Sequence, residues 1–89
     1  MNNKLNKAER AYLAMVKSLP CGVCGVEGRT EAHHIIQHRQ YLCVPLCDDC
    51  HRGSNGIHGD KSYFRIKKIT EWDVLNDTIN KLMTGNRRI

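Results

Sequence analysis

No long apolar run occurs in this chain. The longest one near the N-terminus spans only Ala11 to Val16. That is too short for a signal-peptide core, and nothing approaches the ~20 residues a membrane helix needs. Internal repeats, low-complexity tracts and linkers are also missing, so the 89 residues read as one domain. Acidic residues are outnumbered: 14 Lys and Arg against 9 Asp and Glu leave a formal charge of +5. Aromatics are few, with one Phe, one Trp and three Tyr. A chain this small buries roughly 60–65% of its unfolded surface and needs help to stay folded. Disulfides, a metal or a partner chain are the usual sources of that help.

Five cysteines are present, and four of them are paired in spacing: Cys21-Gly22-Val23-Cys24 and Cys47-Asp48-Asp49-Cys50. The lack of a secretory segment points to a cytoplasmic protein, where thiols stay reduced and Cys-x-x-Cys pairs hold metal. Two such turns supply the four tetrahedral thiolates that structural Zn²⁺ requires. The 22 residues between them leave room for a hairpin. Disulfides, or unrelated buried cysteines, are the alternative. Four thiolates around Zn²⁺ sum to −2, which would reduce the working charge to about +3. Cys43 is left over and is expected to be a buried free thiol.

Organisation follows from spacing. Leu5, Ala8, Tyr12, Met15 and Leu19 recur at helical steps, which predicts an amphipathic helix over residues 4–18, stopped by Pro20. Lys7, Arg10 and Lys17 share a different face. Residues 29–36 and 40–46 carry β-branched and aromatic side chains around the turn Gln37-His38-Arg39, and read as two antiparallel strands. Pro45 suits an edge position. Asp48 and Asp49 can open a short helix carrying Cys50 and His51. Glycines 53, 56 and 59 then force a loop. Asp60 can cap a helix through Tyr63, Phe64 and Ile69. Thr70 with Asp73 resembles a capping box for a last helix, with Trp72, Leu75, Ile79, Leu82 and Met83 on one side. The expected fold class is α+β: an N-terminal helix in 1–20, a zinc-knuckle core in 21–60, C-terminal helices in 61–84 and a frayed tail in 85–89.

Between the knuckles lies His33-His34, and His51 follows Cys50 directly. In a regular strand His33 and His34 point to opposite faces, so a bulge or a strand end is needed to bring both to one pocket. The bland reading is one packed and one surface histidine. His51 on the knuckle shifts the balance toward chemistry.

The combination of hairpin, knuckle and helix-borne histidine resembles the HNH, or ββα-metal, endonucleases. More particularly, His33-His34-Ile35, Pro45-Leu46-Cys47-x-x-Cys50-His51-Arg52-Gly53 and Gly56-Ile57-His58-Gly59-Asp60 resemble the phage recombination-enhancement (Ref-type) RecA-dependent nucleases. That resemblance runs from about Cys21 to Ile79. It implies a small zinc-stabilised ββα-metal core, His34 as general base, and His33 and His51 as ligands of one catalytic divalent metal. His58, seven residues beyond His51, is a further candidate as a metal ligand or phosphate contact; a continuous helix would put it on the same side as His51, but Gly53 and Gly56 interrupt that helix. The implied partners are DNA (single-stranded, duplex or a recombination intermediate) and a RecA-type recombinase filament that directs cutting. The chain departs from the general HNH pattern in three ways. No Asn lies between His34 and Cys47, His33 stands where Asp is frequent, and His51 stands where Asn is frequent. Imidazole ligands favour Zn²⁺, Mn²⁺ or Ni²⁺ over Mg²⁺.

Arg39, Arg52, Lys61, Arg65, Lys67 and Lys68 surround this centre in sequence. In a nuclease they would neutralise phosphates without reading sequence. Arg52 and Lys61 flank the His51–His58 segment most closely. His38, at the hairpin tip, reads as a surface residue or a DNA contact. Two rival functions use the same residues: a non-catalytic zinc-organised nucleic-acid-binding module, and an RNA-cleaving enzyme on the same frame.

Overall fold

A computed structural model describes residues 4–84, so the expected tail at 85–89 lies outside the described residues. The order is α1 (Lys7–Lys17), β1 (Glu31–His34), β2 (Cys43–Leu46), α2 (Asp48–Arg52), α3 (Ser62–Lys67) and α4 (Glu71–Thr84). The fold is α+β, a two-stranded antiparallel sheet with helices packed around it. Among the described residues no helix is long and apolar enough to cross a membrane.

The first helix begins at Lys7 rather than at residue 4, because Asn6 caps it. Asn6 Oδ1 accepts the Glu9 N–H at 2.7 Å, and Glu9 Oε1 accepts the Asn6 N–H at 2.9 Å. This reciprocal box satisfies two otherwise orphaned donors. The far end is tied by the Thr30 hydroxyl, which donates to the carbonyls of Lys17 and Leu19. The buried side is set by Leu13 and Val16, packed on Cys43 with Tyr12 and Leu5 at the margin. The expected stripe through Ala8 and Met15 is therefore out of phase, and Met15 is exposed.

The strands are shorter than the expected 29–36 and 40–46. Arg29 takes a left-handed conformation (φ 51°) and Thr30 is held to the helix end, so pairing starts at Glu31. The register runs from Glu31 opposite Leu46 to His34 opposite Cys43. Beyond His34 the chain turns, with Leu42 N–H bonded to Arg39 O and His38 at φ 70°. Pro45 sits opposite Ala32 with its carbonyl turned outward to the Gly22 N–H at 2.8 Å. Its missing donor thus falls on the outer edge, which the first knuckle covers. Gly22 is required there, since a Cβ would lie 2.4 Å from Val74 Cγ1.

The third helix stops at Lys67 rather than continuing to Ile69, because Lys68 turns left-handed (φ 57°). Asp60 Oδ1 accepts the Ser62 N–H at 2.9 Å, which leaves Asp60 at the helix entry as expected. Thr70 and Asp73 cap α4 mutually. That helix buries Val74, Leu75 and Thr78. Of the expected apolar face only Leu75 is buried and Leu82 partly so; Trp72, Ile79 and Met83 are exposed. Val74, Thr78 and Leu82 lie roughly 100° around the helix from that exposed stripe. A two-stranded sheet and one short helix offer too little surface to cover both sides.

Candidate metal centres

The two knuckles converge. None of the five cysteines is in a disulfide. The Sγ atoms of Cys21, Cys24, Cys47 and Cys50 all lie within 4.8 Å of one another. Cys24 and Cys47 Sγ are 3.7 Å apart. Zn–S bonds of about 2.3 Å in a tetrahedron place sulfurs roughly 3.8 Å apart, so this quartet is close enough to hold Zn²⁺. Backbone N–H groups face the sulfurs: Val23 and Cys24 toward Cys21, and Cys50 toward Cys47. Burial pushes the Cys21 thiol up, but backbone N–H donors outweigh it and bring it to about 7. Burial raises Cys47 and Cys50, as expected for thiols crowded together with no cation between them. Cys43 is fully buried away from the quartet, and burial pushes it to about 11. It is the isolated thiol that the spacing predicted.

On the other side of α2 the histidines gather. His33, His51 and His58 each bring a ring nitrogen within 4.8 Å of the others. Their ring centroids are 5.0 Å (33–51), 5.1 Å (33–58) and 4.8 Å (51–58) apart. Three separate devices place them. The strand points His33 inward, where it is 6% exposed. The short helix after the knuckle carries His51. His58 arrives by a loop that doubles back, with Ile57 N–H on Cys50 O and His58 N–H on His51 O. Gly53 ends the helix in an extended conformation, so His58 joins by that return and not by helix continuity.

Carboxylates hold two of the three rings. Glu71 Oε2, at the start of α4, accepts from His33 Nε2 at 2.5 Å. Glu31 Oε1 accepts from His51 Nδ1 at 2.6 Å, while its other oxygen accepts from Arg52 Nη2. Those bonds leave Nδ1 of His33 and Nε2 of His51 as the free lone pairs. A carboxylate behind each imidazole fixes its tautomer and ring orientation, as behind many metal-binding histidines. Burial lowers the His33 pKa, Glu71 opposes that, and the neighbouring His51 and His58 lower it further. A neutral imidazole is the form that binds metal. The bond from His51, then the charge of Arg52, holds Glu31 below the ordinary carboxylate range. The three ring nitrogens are close enough to hold one divalent ion.

His34 is the last residue of the strand, paired with Cys43, and no bulge interrupts the register. Its Nε2 lies 2.8 Å from Gln40 Oε1 in the hairpin loop. His33, His34, His51 and His58 all line one cavity of about 690 Å³, joined by His38, Lys61 and Glu71 on its walls. His38 is exposed there and stands apart from the triad. Of the cations proposed for nucleic acid, Lys61 borders this cavity. Arg52 is engaged with Glu31, and Arg65 donates to the Asp60 carbonyl and lines an adjoining groove. Arg39 and Lys67 are exposed but line neither cavity.

Glu31, Glu71 and Gln40 were not singled out from sequence. Glu31 was readable, since it precedes His33 by two and a strand puts i and i+2 on one face. Glu71 lies 38 residues from His33 and carries no such sign. Comparison with protein-family models, with curated proteins and with solved structures gives no match.

Proposed function

We propose that the protein is a metal-dependent endonuclease that hydrolyses phosphodiester bonds in DNA, with β1, β2 and α2 forming a ββα-metal core. The observation that carries this reading is the convergence of His33, His51 and His58 beside His34 in one open cavity. A purely structural module would need the four cysteines and would have no use for four histidines around a solvent-filled cleft.

Each residue then has a role. Gln40 Oε1 accepts from Nε2 of His34, which leaves Nδ1 as the lone pair that takes a proton from the attacking water. The water oxygen bonds to phosphorus, the P–O3′ bond breaks with its electron pair going to O3′, the leaving O3′ takes a proton from solvent water, and the proton of the attacking water is held on His34. An imidazole is suited to this near neutral pH. His33, His51 and His58 would hold the divalent ion, which when bound would supply Lewis-acid stabilisation of the developing phosphate charge. Glu31 and Glu71 position the ligand rings, and Lys61 neutralises phosphate at the cavity mouth. The three-imidazole set favours Zn²⁺, Mn²⁺ or Ni²⁺ over Mg²⁺. A role in phage or mobile-element recombination, directed by a recombinase filament, rests on the sequence resemblance.

The test is cleavage of single-stranded and duplex DNA with Mg²⁺, Mn²⁺, Ni²⁺ or Zn²⁺, with and without a recombinase filament, by wild type and His34→Ala. Wild type should cut and His34→Ala should fall by at least about 10²-fold, the usual scale of a lost general base. Silence of the wild type under every condition would leave the zinc-organised binding module as the better reading.

A further inference from the structure

A second cavity of about 380 Å³ opens beside the histidine cavity and shares Ile57, Lys61 and Glu71 with it. Its rim carries Lys61, Arg65 and Lys68, and its floor is Ile57, Phe64 and Ile69. The one carboxylate on its wall, Glu71, is already bonded to His33. Arg65 is partly offset by the neighbouring Asp60 carboxylate, which leaves Lys61 and Lys68 as the rim cations with no ion pair among the described residues. Lys61 and Lys68 stand at the two ends of α3, both in the left-handed region (φ 64° and 57°). That conformation disfavours side-chain-bearing residues. Here it brings lysines from both ends of one helix to the same groove.

A cationic rim alone would be a solvated face. An apolar floor beneath it asks for a ligand with an anion on one side and a flat apolar body on the other. We propose that this groove is a subsite for one unpaired nucleotide next to the scissile phosphate. Lys61, Arg65 and Lys68 take its phosphate; Ile57, Phe64 and Ile69 take its sugar and base. The proposal rests on the nuclease reading and deepens it by naming the form of the substrate. In a continuous duplex the base faces are stacked away, so only an unpaired nucleotide reaches the floor. Single-stranded or flapped DNA is then the preferred substrate.

Two arms test this with the full chain and its cysteine zinc in place. In the first, isotope-labelled protein is titrated with 5′-phosphorylated thymidine dinucleotide and, separately, with inorganic phosphate. The dinucleotide should shift the methyl signals of Ile57 and Ile69, and phosphate alone should not. Lys68→Ala, an exposed position, should keep the fold and lower the slope of log affinity against log salt by about 0.7. Equal shifts from phosphate, shifts confined elsewhere, or an unchanged slope would overturn the subsite. In the second arm, Lys68→Ala should raise KM for single-stranded DNA and leave kcat in place. Cutting by wild type with no preference for unpaired substrate and no Lys68 effect would overturn the subsite while the nuclease stands. If the wild type does not cut at all, the nuclease reading fails and the binding arm alone decides the groove.

Discussion

Glu31 does two jobs with its two oxygens: one holds the His51 ring and the other holds Arg52. Glu31→Gln keeps the shape and removes the charge behind the imidazole. The affinity of the histidine site for a divalent ion should fall about 10–100-fold, the usual effect of losing such a carboxylate. Competition against a chromophoric chelator reads this, and the cysteine zinc should be retained. Cys43 gives the pH prediction. Its thiol keeps its proton to about 11 in the fold, against an ordinary value of 9. Below pH 9 both states are protonated and its contribution is complete. Between 9 and 11 the unfolded chain loses the proton first, so stability falls by roughly 2–3 kcal/mol as pH rises. Urea midpoints at pH 8 and 10.5 should show that drop in wild type and a smaller one in Cys43→Ala. Residues of this kind were legible where spacing encodes them: the four cysteines, His33, His51 and the odd Cys43. Glu71 was not, because a contact across 38 residues depends on how α4 packs.

At the scale of elements, the segment 53–59 matters most to the site. It folds back on α2 so that Ile57 and His58 bond to the carbonyls of Cys50 and His51. The approach is close enough that a Cβ on Gly56 would sit 2.4 Å from the Cys50 carbonyl oxygen. Gly56→Ala should push the loop off the helix, at a cost of roughly 1–3 kcal/mol. It should also weaken metal binding at the histidines by displacing His58. A thermal melt and a metal titration on the same variant check both effects; full metal affinity in a destabilised protein would mean His58 is not a ligand. The glycines at 53, 56 and 59 announced a loop in sequence, but its direction came only from the fold. Helix phase was legible only in part. Capping at Asn6 and the weight of Leu13 and Val16 turned α1 away from the Met15 stripe, and Thr78 displaced Ile79 from the buried side of α4. The strands ended early because Arg29 turns left-handed and residues 36–42 close a turn, with Arg39 N–H on Ile36 O and Leu42 N–H on Arg39 O.

Taken whole, the molecule is organised by α2. Cys50 and His51 are adjacent on that helix, one turned into the sulfur quartet and the other into the imidazole triad. With a metal bound, the quartet would add the stability that a small core lacks and would tie down the helix that bears His51. The sequence distinguished thiol knuckles from histidines, yet how one five-residue helix serves both centres follows only from the packing. Two centres would divide the labour, and counting bound metal by native mass spectrometry tests that division most directly. Wild type equilibrated with Zn²⁺ should carry two ions per chain. His51→Ala should carry one, held by the cysteines, with its circular dichroism unchanged. Two ions in both proteins, or one in both, would contradict it.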